Sequence, residues 1–503
     1  MSLTSFSFFA FLLITVCIYY LCPKVQKYVL LVASIFFYIS VSPMEETQLI
    51  LLIIYIMAIT YIGGILIEKN KGVIKSVTLV LCVAGLVSLL FVTKYAYNLF
   101  SIFVRLFDLT TDLSWLQFGS IIGISYFILS AIGYLVDVYW GMYNAEKNIA
   151  VVTVFTFYFP QVISGPVTRF SEMRDQFKKI HRFEASNIEN GIRRMLWGYF
   201  QKLVISERFA IIVQTVYGDY KSYSGIGIAA ATLCYAVQLY TDFSGCMDII
   251  MGASEIFAIS LPENFKAPFY SKTVQEFWQR WHVSLGTWFK DYVMYPLQKS
   301  SLLVKIGKYC KKRIGKKVGK KVPFYISMTV LWFLLGVWHG GTGYYFFASA
   351  IIPFILLMGS DSLQSMFAKW TKLFRINNSC TSWRIFQSIR TVLLICICWI
   401  FVCAGSTMET FDIVKHMISN PIANTTLEEA FIVFGLDVKD VLIMITSLIV
   451  LLCVDKKKYE GICIHKFMDE QNFIFKWFVI YVEILVILLY GMVGTSSFIY
   501  FQF

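Results

Sequence analysis

Charge is scarce in this 503-residue chain: 15% of its residues are Asp, Glu, Lys or Arg, against 58% hydrophobic. Soluble domains carry roughly 25% charged residues, so a chain this poor in charge cannot cover an ordinary water-facing surface. Several chemistries are missing at the level of motif. There is no P-loop, no G-x-G-x-x-G after a strand, no H-E-x-x-H and no G-x-S-x-G, which removes the common nucleotide, zinc-protease and serine-hydrolase readings. No C-x-x-C pair occurs among the twelve cysteines. Most of them lie in apolar runs, such as Cys17, Cys82, Cys234, Cys396, Cys398 and Cys453, and read as small buried hydrophobes. No metal site is expected. Nor is there an internal repeat, which speaks against a transporter. The first apolar run has no basic leader and no A-x-A-like site after it, so it reads as retained.

What is present is a series of charge-free runs: Ser5–Cys22, Thr47–Ile67, Ser76–Thr93, Gln117–Val136, Asn148–Thr168, Ser222–Thr241, Val322–Ser360, Thr391–Met408 and Ile484–Phe503. A spanning helix needs about 17–25 mostly apolar residues. Most runs qualify singly, and Val322–Ser360 is long enough for two. With the shorter runs Tyr28–Ser42 and Val441–Val454, about eleven spans are expected, give or take two. Strand barrels would show short alternating segments instead. The fold class is therefore all-α: a polytopic integral membrane protein, with a single domain over residues 1–503.

The net charge of +13 reads as positive-inside topology rather than nucleic-acid binding, since no soluble domain presents a groove-reading element. The densest cluster, 299–321, includes Lys311, Lys312, Arg313, Lys316, Lys317, Lys320 and Lys321 and is expected in the cytoplasm, near anionic lipid head groups. The basic segment Glu68–Lys75 is expected there too, and counting back from it puts Pro43–Glu46 outside, Pro23–Lys27 inside and the N-terminus outside. Simple parity then fails: Arg169–Arg194 lands outside if every apolar run spans once. At least one run must be re-entrant or broken.

Residues 141–345 differ from the plain spans on either side. Charged and aromatic residues interleave there, and four segments stand out. In Phe159-Pro160-Gln161-Val162-Ile163-Ser164-Gly165-Pro166-Val167-Thr168-Arg169, two prolines and a glycine break an apolar run. Read alone, this is a kinked span anchored by a snorkelling Arg169. Asp242 and Asp248 follow a charge-free run in Gln238–Asp248; such carboxylates are costly at membrane depth unless paired or wet. A structural ion pair and a functional carboxylate stay open, but six residues apart they do not share a helical face.

The third segment joins Pro262–Phe269 to Glu276–Tyr292. Helical spacing puts Trp278, Trp281, Leu285, Trp288 and Phe289 on one face, with Glu276 and Arg280 as an i, i+4 pair. That pattern suggests one amphipathic interfacial helix, beside which His282 reads as a structural hydrogen-bonder. The fourth is Leu334-Leu335-Gly336-Val337-Trp338-His339-Gly340-Gly341. Here His339 lies near the middle of the longest charge-free run. Histidine at membrane depth is rare and functional by default, and its ordinary pKa lets it take and return a proton near neutrality. His181, His416 and His465 fall in polar connections, where a solvated role is expected.

Taken in order, these segments resemble the membrane-bound O-acyltransferase (MBOAT) family, in its bacterial branch of alginate O-acetylation and lipoteichoic-acid D-alanylation. The carriers are F-P-Q-x-I-x-G-P-x-x-R, D-F-S-G-x-x-D, N-F-x-x-P-F, E-F-W-x-R-W-H-x-S-L and W-H-G. Chain length, the Gly123–Tyr126 start and Tyr134–Gly141 look more like the alginate type. Cys246, Trp140 and the absence of a Trp and a second His in Gly341–Ala350 depart from the branch.

The resemblance implies an MBOAT fold with a central tunnel, in which His339 is the catalytic histidine and His282 a second one. Trp338, Asn264, Arg280, Trp281, Asp242 and Gln161 fall in the matched segments and are expected along the tunnel. No bound cofactor is implied. The acyl donor would be acetyl-CoA, or alternatively a D-alanyl carrier protein. The acceptor would be a polysaccharide or teichoic-acid hydroxyl, reached through an extracytoplasmic, esterase-like partner protein. The reading outside the enzyme class is a membrane transporter or lipid scaffold using the same tunnel.

Overall fold

A computed structural model describes residues 1–108, 111, 121–340, 343–422, 436–493 and 498–499. The start of the 117–136 run, Gly341 and the end of the 484–503 run lie outside the described residues. Among those described, every regular element is a helix and no strand occurs. Lipid offers the backbone no hydrogen-bond partners, so charge-free runs close their bonds within the segment.

Among the described residues, eight helices are long and apolar enough to cross a bilayer: Pro23–Val41, Glu46–Lys69, Gly72–Ala96, Gly225–Ile256, Val318–Trp338, Gly343–Ser362, Thr381–Ala404 and Phe473–Tyr490. Phe6–Leu21 and Ile124–Trp140 are apolar but shorter. The run 441–454 lies in Val438–Tyr459, whose last turn carries Lys456, Lys457 and Lys458. As expected of its length, the run 322–360 supplies two helices. Short polar side chains start several elements by accepting orphaned N–H groups: Ser5 from Phe8, Asn148 from Ala150 and Asn472 from Phe475. Leu13, Val80, Ile474 and Leu488 are largely exposed, as befits a lipid-facing surface.

The described residues form two compact units. The first consists mainly of Met1–Gly198 and Cys246–Pro262. It resolves the parity problem. The run 148–168 is not a span kinked at its prolines: its helix stops at Phe157 after nine residues. A turn follows, closed by Gln161 N–H and Val162 N–H donating to Tyr158 O and by Gly165 N–H donating to Gln161 O. Residues 157–168 are all buried, and irregular backbone at membrane depth is tolerated only under such cover.

After this turn the chain returns to where it started. Glu146 binds Lys178 at 2.5 Å and lies 3.6 Å from Arg174. His181 N–H donates to Gln26 Oε1 while Gln26 Nε2 donates to His181 O. Three basic connections thus gather at one end of this unit. Elsewhere in it Gly191 and Gly252 bring two helices into backbone contact; a Cβ on either would lie 2.5 Å from the other's carbonyl oxygen.

The second unit consists of Tyr199–Gly245 and Glu263–Ser496. It contains the third segment from Glu263 onward and the described part of the fourth. A π-helical turn, Phe200–Ser206, interrupts the helix that runs from residue 185 to 218, and all seven of its residues are buried.

Candidate active site

Asn264 is wholly buried, and its side-chain oxygen is the hub of the third segment. That oxygen accepts from His282 Nδ1 at 3.1 Å, from Ser284 N–H at 3.1 Å and from Ser284 Oγ–H at 2.9 Å. Its backbone takes part as well: Val283 N–H donates to Asn264 O, and Lys266 N–H donates to Arg280 O. Two stretches far apart in sequence are thereby laced together around His282.

The lacing breaks the helix. Instead of one amphipathic helix over Glu276–Tyr292, there are two short ones, Val274–Arg280 and Val283–Phe289. Trp281 is extended and His282 sits at φ 47°, in the left-handed region that L-residues avoid. Such a conformation persists only where the surroundings over-determine it. The expected single face of Trp278, Trp281, Leu285, Trp288 and Phe289 is therefore split between two axes. The Glu276–Arg280 pair does form, at 2.9 Å, and Thr273 caps the first helix.

Around the break the packing is aromatic. The Trp281 ring meets Phe265, Phe277 and Trp399 at centroid distances of 5.0, 5.5 and 5.6 Å. Phe243 stands edge-on to His282 at 4.9 Å. From the fourth segment the Trp338 ring packs on two imidazoles, 6.2 Å from His282 and 4.8 Å from His339. His339 ends the helix Lys316–Trp338 and donates its N–H to Leu335 O. It is half-buried, whereas His282 is 4% exposed.

His282 belongs to none of the spans. Burial first, and the neighbouring His339 second, hold its imidazole well below the ordinary histidine range. It is therefore neutral near pH 7. Because a carbonyl oxygen only accepts, its proton is on Nδ1 and its lone pair on Nε2. Two imidazoles packed on one indole, one of them neutral, can take a proton from a hydroxyl.

Residues 145–407, just over half of the sequence, match the MBOAT, membrane-bound O-acyltransferase family. The chain belongs to that family. It is a multi-pass membrane protein.

This MBOAT chain is similar to a probable alginate O-acetylase AlgI of Pseudomonas syringae pv. tomato, with 31% identity over 280 residues, 56% of the chain and 48% of that protein. It is 26% identical to a peptidoglycan O-acetyltransferase of Helicobacter pylori over 425 residues, 79% of the chain and 74% of the relative. A teichoic acid D-alanyltransferase of Bacillus subtilis is 27% identical over 297 residues, covering 57% and 67%. The match spans less than half the length of the alginate relatives.

The MBOAT region contains both histidines and all the residues expected along the tunnel, but the structure gives them different surroundings. Asp242 is engaged by Lys202 Nζ at 2.6 Å, and the same ammonium binds Glu207 at 2.6 Å. Arg280 lies over the Tyr459 ring at 4.4 Å and donates to Lys266 O. With Lys266, Gln275 and Gln279 it lines a surface cavity of about 560 Å³. Gln161 belongs to the other unit, where its amide donates to Phe155 O and accepts from Thr168 Oγ1. His181 and His416 each bind a backbone carbonyl, of Gln176 and Tyr223, rather than standing wholly in solvent.

Sequence reasoning passed over Lys202 and Asp455. Asp455 is 1% exposed and accepts from Tyr240 Oη–H at 2.7 Å. A lone lysine within Leu196–Ser206 was a usable signal. Asp455 gave little, because three lysines follow it.

Proposed function

We propose that the chain transfers an acyl group, in the first instance acetyl, from a thioester donor to a hydroxyl of an extracytoplasmic cell-wall or exopolysaccharide acceptor. The observation that carries this reading is the convergence of His282 and His339 on Trp338. The hydroxyl oxygen attacks the thioester carbonyl carbon while His339 takes its proton, a general-base role worth roughly 10²–10⁴-fold. His282, held neutral by its burial and oriented by Asn264, helps to position the hydroxyl. The tetrahedral intermediate then expels the thiolate, which recovers the proton from the His339 imidazolium. The products are an ester and a free thiol.

On this reading the donor is acetyl-CoA and approaches from the cytoplasm. The basic segment 299–321 faces that side, and its charge favours an anionic donor. The first acceptor is a hydroxyl of an esterase-like partner protein that completes transfer to the glycan. Support for acetyl transfer to a wall polymer comes from the Helicobacter pylori relative, which is matched over 79% of this chain. The Bacillus subtilis relative, 67% of which is matched, favours a second reading, D-alanyl transfer from a carrier protein to teichoic acid.

The test is acyl release or transfer from radiolabelled acetyl-CoA by the purified chain in nanodiscs, compared with His339→Ala. Turnover by the wild type that disappears in the variant is expected. Full turnover by a normally folded His339→Ala overturns the catalytic assignment. Turnover only with a D-alanyl-loaded carrier selects the second reading.

A further inference from the structure

We propose that Asp455 and Tyr240 form a brace that positions His282, making both of them positioning residues for the reaction. The helix Val438–Tyr459 lies beyond the family match. One of its faces, at i, i+3 and i+7, nevertheless holds the family-matched region at three places. Leu452 O accepts from Tyr270 Oη–H at 2.8 Å, Asp455 Oδ2 accepts from Tyr240 Oη–H at 2.7 Å, and the Tyr459 ring receives the Arg280 guanidinium.

The middle contact leads to the histidine. A carboxylate buried in an apolar helix is costly unless its hydrogen bonds are made, so the Tyr240 hydroxyl is held firmly. That fixes the rotation of its ring, which packs on Phe269 at 4.9 Å, Phe265 at 5.7 Å and Trp281 at 6.1 Å. Trp281 directly precedes the left-handed His282. Phe243, three residues after Tyr240 and so on the same helical face, stands against the His282 ring. Asn264 ties the turn from one side, and the Tyr240–Phe243 face closes it from the other. The left-handed backbone of His282 needs such over-determination. Loosening the brace lets the turn relax and moves the imidazole, and small misplacements of a reacting group are expensive in rate.

The proposal rests on the acyl-transfer reading only for its kinetic arm, so the test has two readouts in the full chain. The first is the rate at which diethyl pyrocarbonate modifies His282, followed by peptide mass spectrometry with His416 as internal control; it needs no turnover. The second is kcat and KM for thioester-dependent transfer.

In Tyr240→Phe and in Asp455→Val, His282 modification is expected to rise about tenfold with His416 unchanged, while kcat falls about tenfold and KM stays within about twofold. Asp455→Asn, whose amide oxygen still accepts from Tyr240, should behave as wild type. Tyr240→Phe keeps the ring and serves if Asp455→Val does not fold. Unchanged His282 reactivity in Tyr240→Phe overturns the brace, and so does a parallel rise at His416, which would mean general loosening. Raised His282 reactivity with no transfer by any chain, wild type included, upholds the brace and removes the acyl-transfer reading instead.

Discussion

Asn264 Oδ1, 3.1 Å from His282 Nδ1, decides which nitrogen of that imidazole carries the proton. The same oxygen holds Ser284 through its N–H and its hydroxyl, so tautomer and backbone turn are set by one atom. Replacing it with a carbon removes an acceptor from three buried donors at once, and each unsatisfied donor is costly. Asn264→Leu is expected to lower kcat by about 10²-fold or more. Ser284→Ala, which deletes one of the three donors, should cost less than about tenfold. Steady-state kinetics on the two variants measures the difference, and equal losses would contradict a tautomer-fixing role.

The neutral state of His282 also gives stability a pH dependence. Its folded pKa lies below the ordinary value of about 6.5. As pH falls through that value, the unfolded chain binds a proton that the folded chain refuses. Stability should therefore decline below about pH 6.5, by at most about 1.4 kcal/mol per pH unit from this group. Thermal unfolding in detergent between pH 5 and 8 should show a shallower acid slope for His282→Gln than for the wild type.

Gly340 immediately follows His339 with φ 137°, a backbone state that L side chains rarely adopt. Space is not the obstacle, since an added Cβ would meet only Tyr345 Cδ2 at 3.8 Å. The expected cost of Gly340→Ala is conformational, about 1–3 kcal/mol, relieved by moving the end of the helix that carries His339. Activity should drop about tenfold or more. Gly286→Ala, in a helix with nothing within 4 Å of the new Cβ, should be neutral or slightly stabilising.

Lys202 binds Glu207 and Asp242, and all three side chains are at most 3% exposed. Lys202→Met would leave both carboxylates buried without that ammonium, and breaking a buried ion pair from one side costs about 3–5 kcal/mol. A large fall in detergent melting temperature is expected. Adding Glu207→Gln and Asp242→Asn should recover most of it, because the buried charges are then gone. No recovery would mean that the lysine stabilises through its packing instead.

Some of this architecture is legible from local rules. Charge-free runs of bilayer length became helices because lipid leaves the backbone no other partner. That some run is broken was readable from the failure of charge parity, but Pro160, Gly165 and Pro166 read as a kink in the run 148–168, whose helix in fact ends at Phe157. His339 stood out because a histidine in so long an apolar run has few structural excuses.

The break at Trp281–His282 was not legible. No proline or glycine marks it, and the i, i+4 pattern runs through unbroken. It exists because Asn264, eighteen residues earlier, captures the side chain of His282 and, through its carbonyl, the N–H of Val283. In the same way Asp455 meets Tyr240 across 215 residues.

The sequence by itself determined the helical class, the membrane setting and the family, and it singled out His282 and His339 as candidates, all from composition, run length and short motifs. Only the tertiary structure decided that both histidine rings pack on Trp338, that His282 gives Asn264 the proton on its Nδ1, and that Asp455 accepts from Tyr240. The physical reason is that solvent-dependent burial and hydrogen bonding between distant residues fix tautomers, left-handed backbone and ion-pair partners, and no local pattern encodes which distant side chain will arrive.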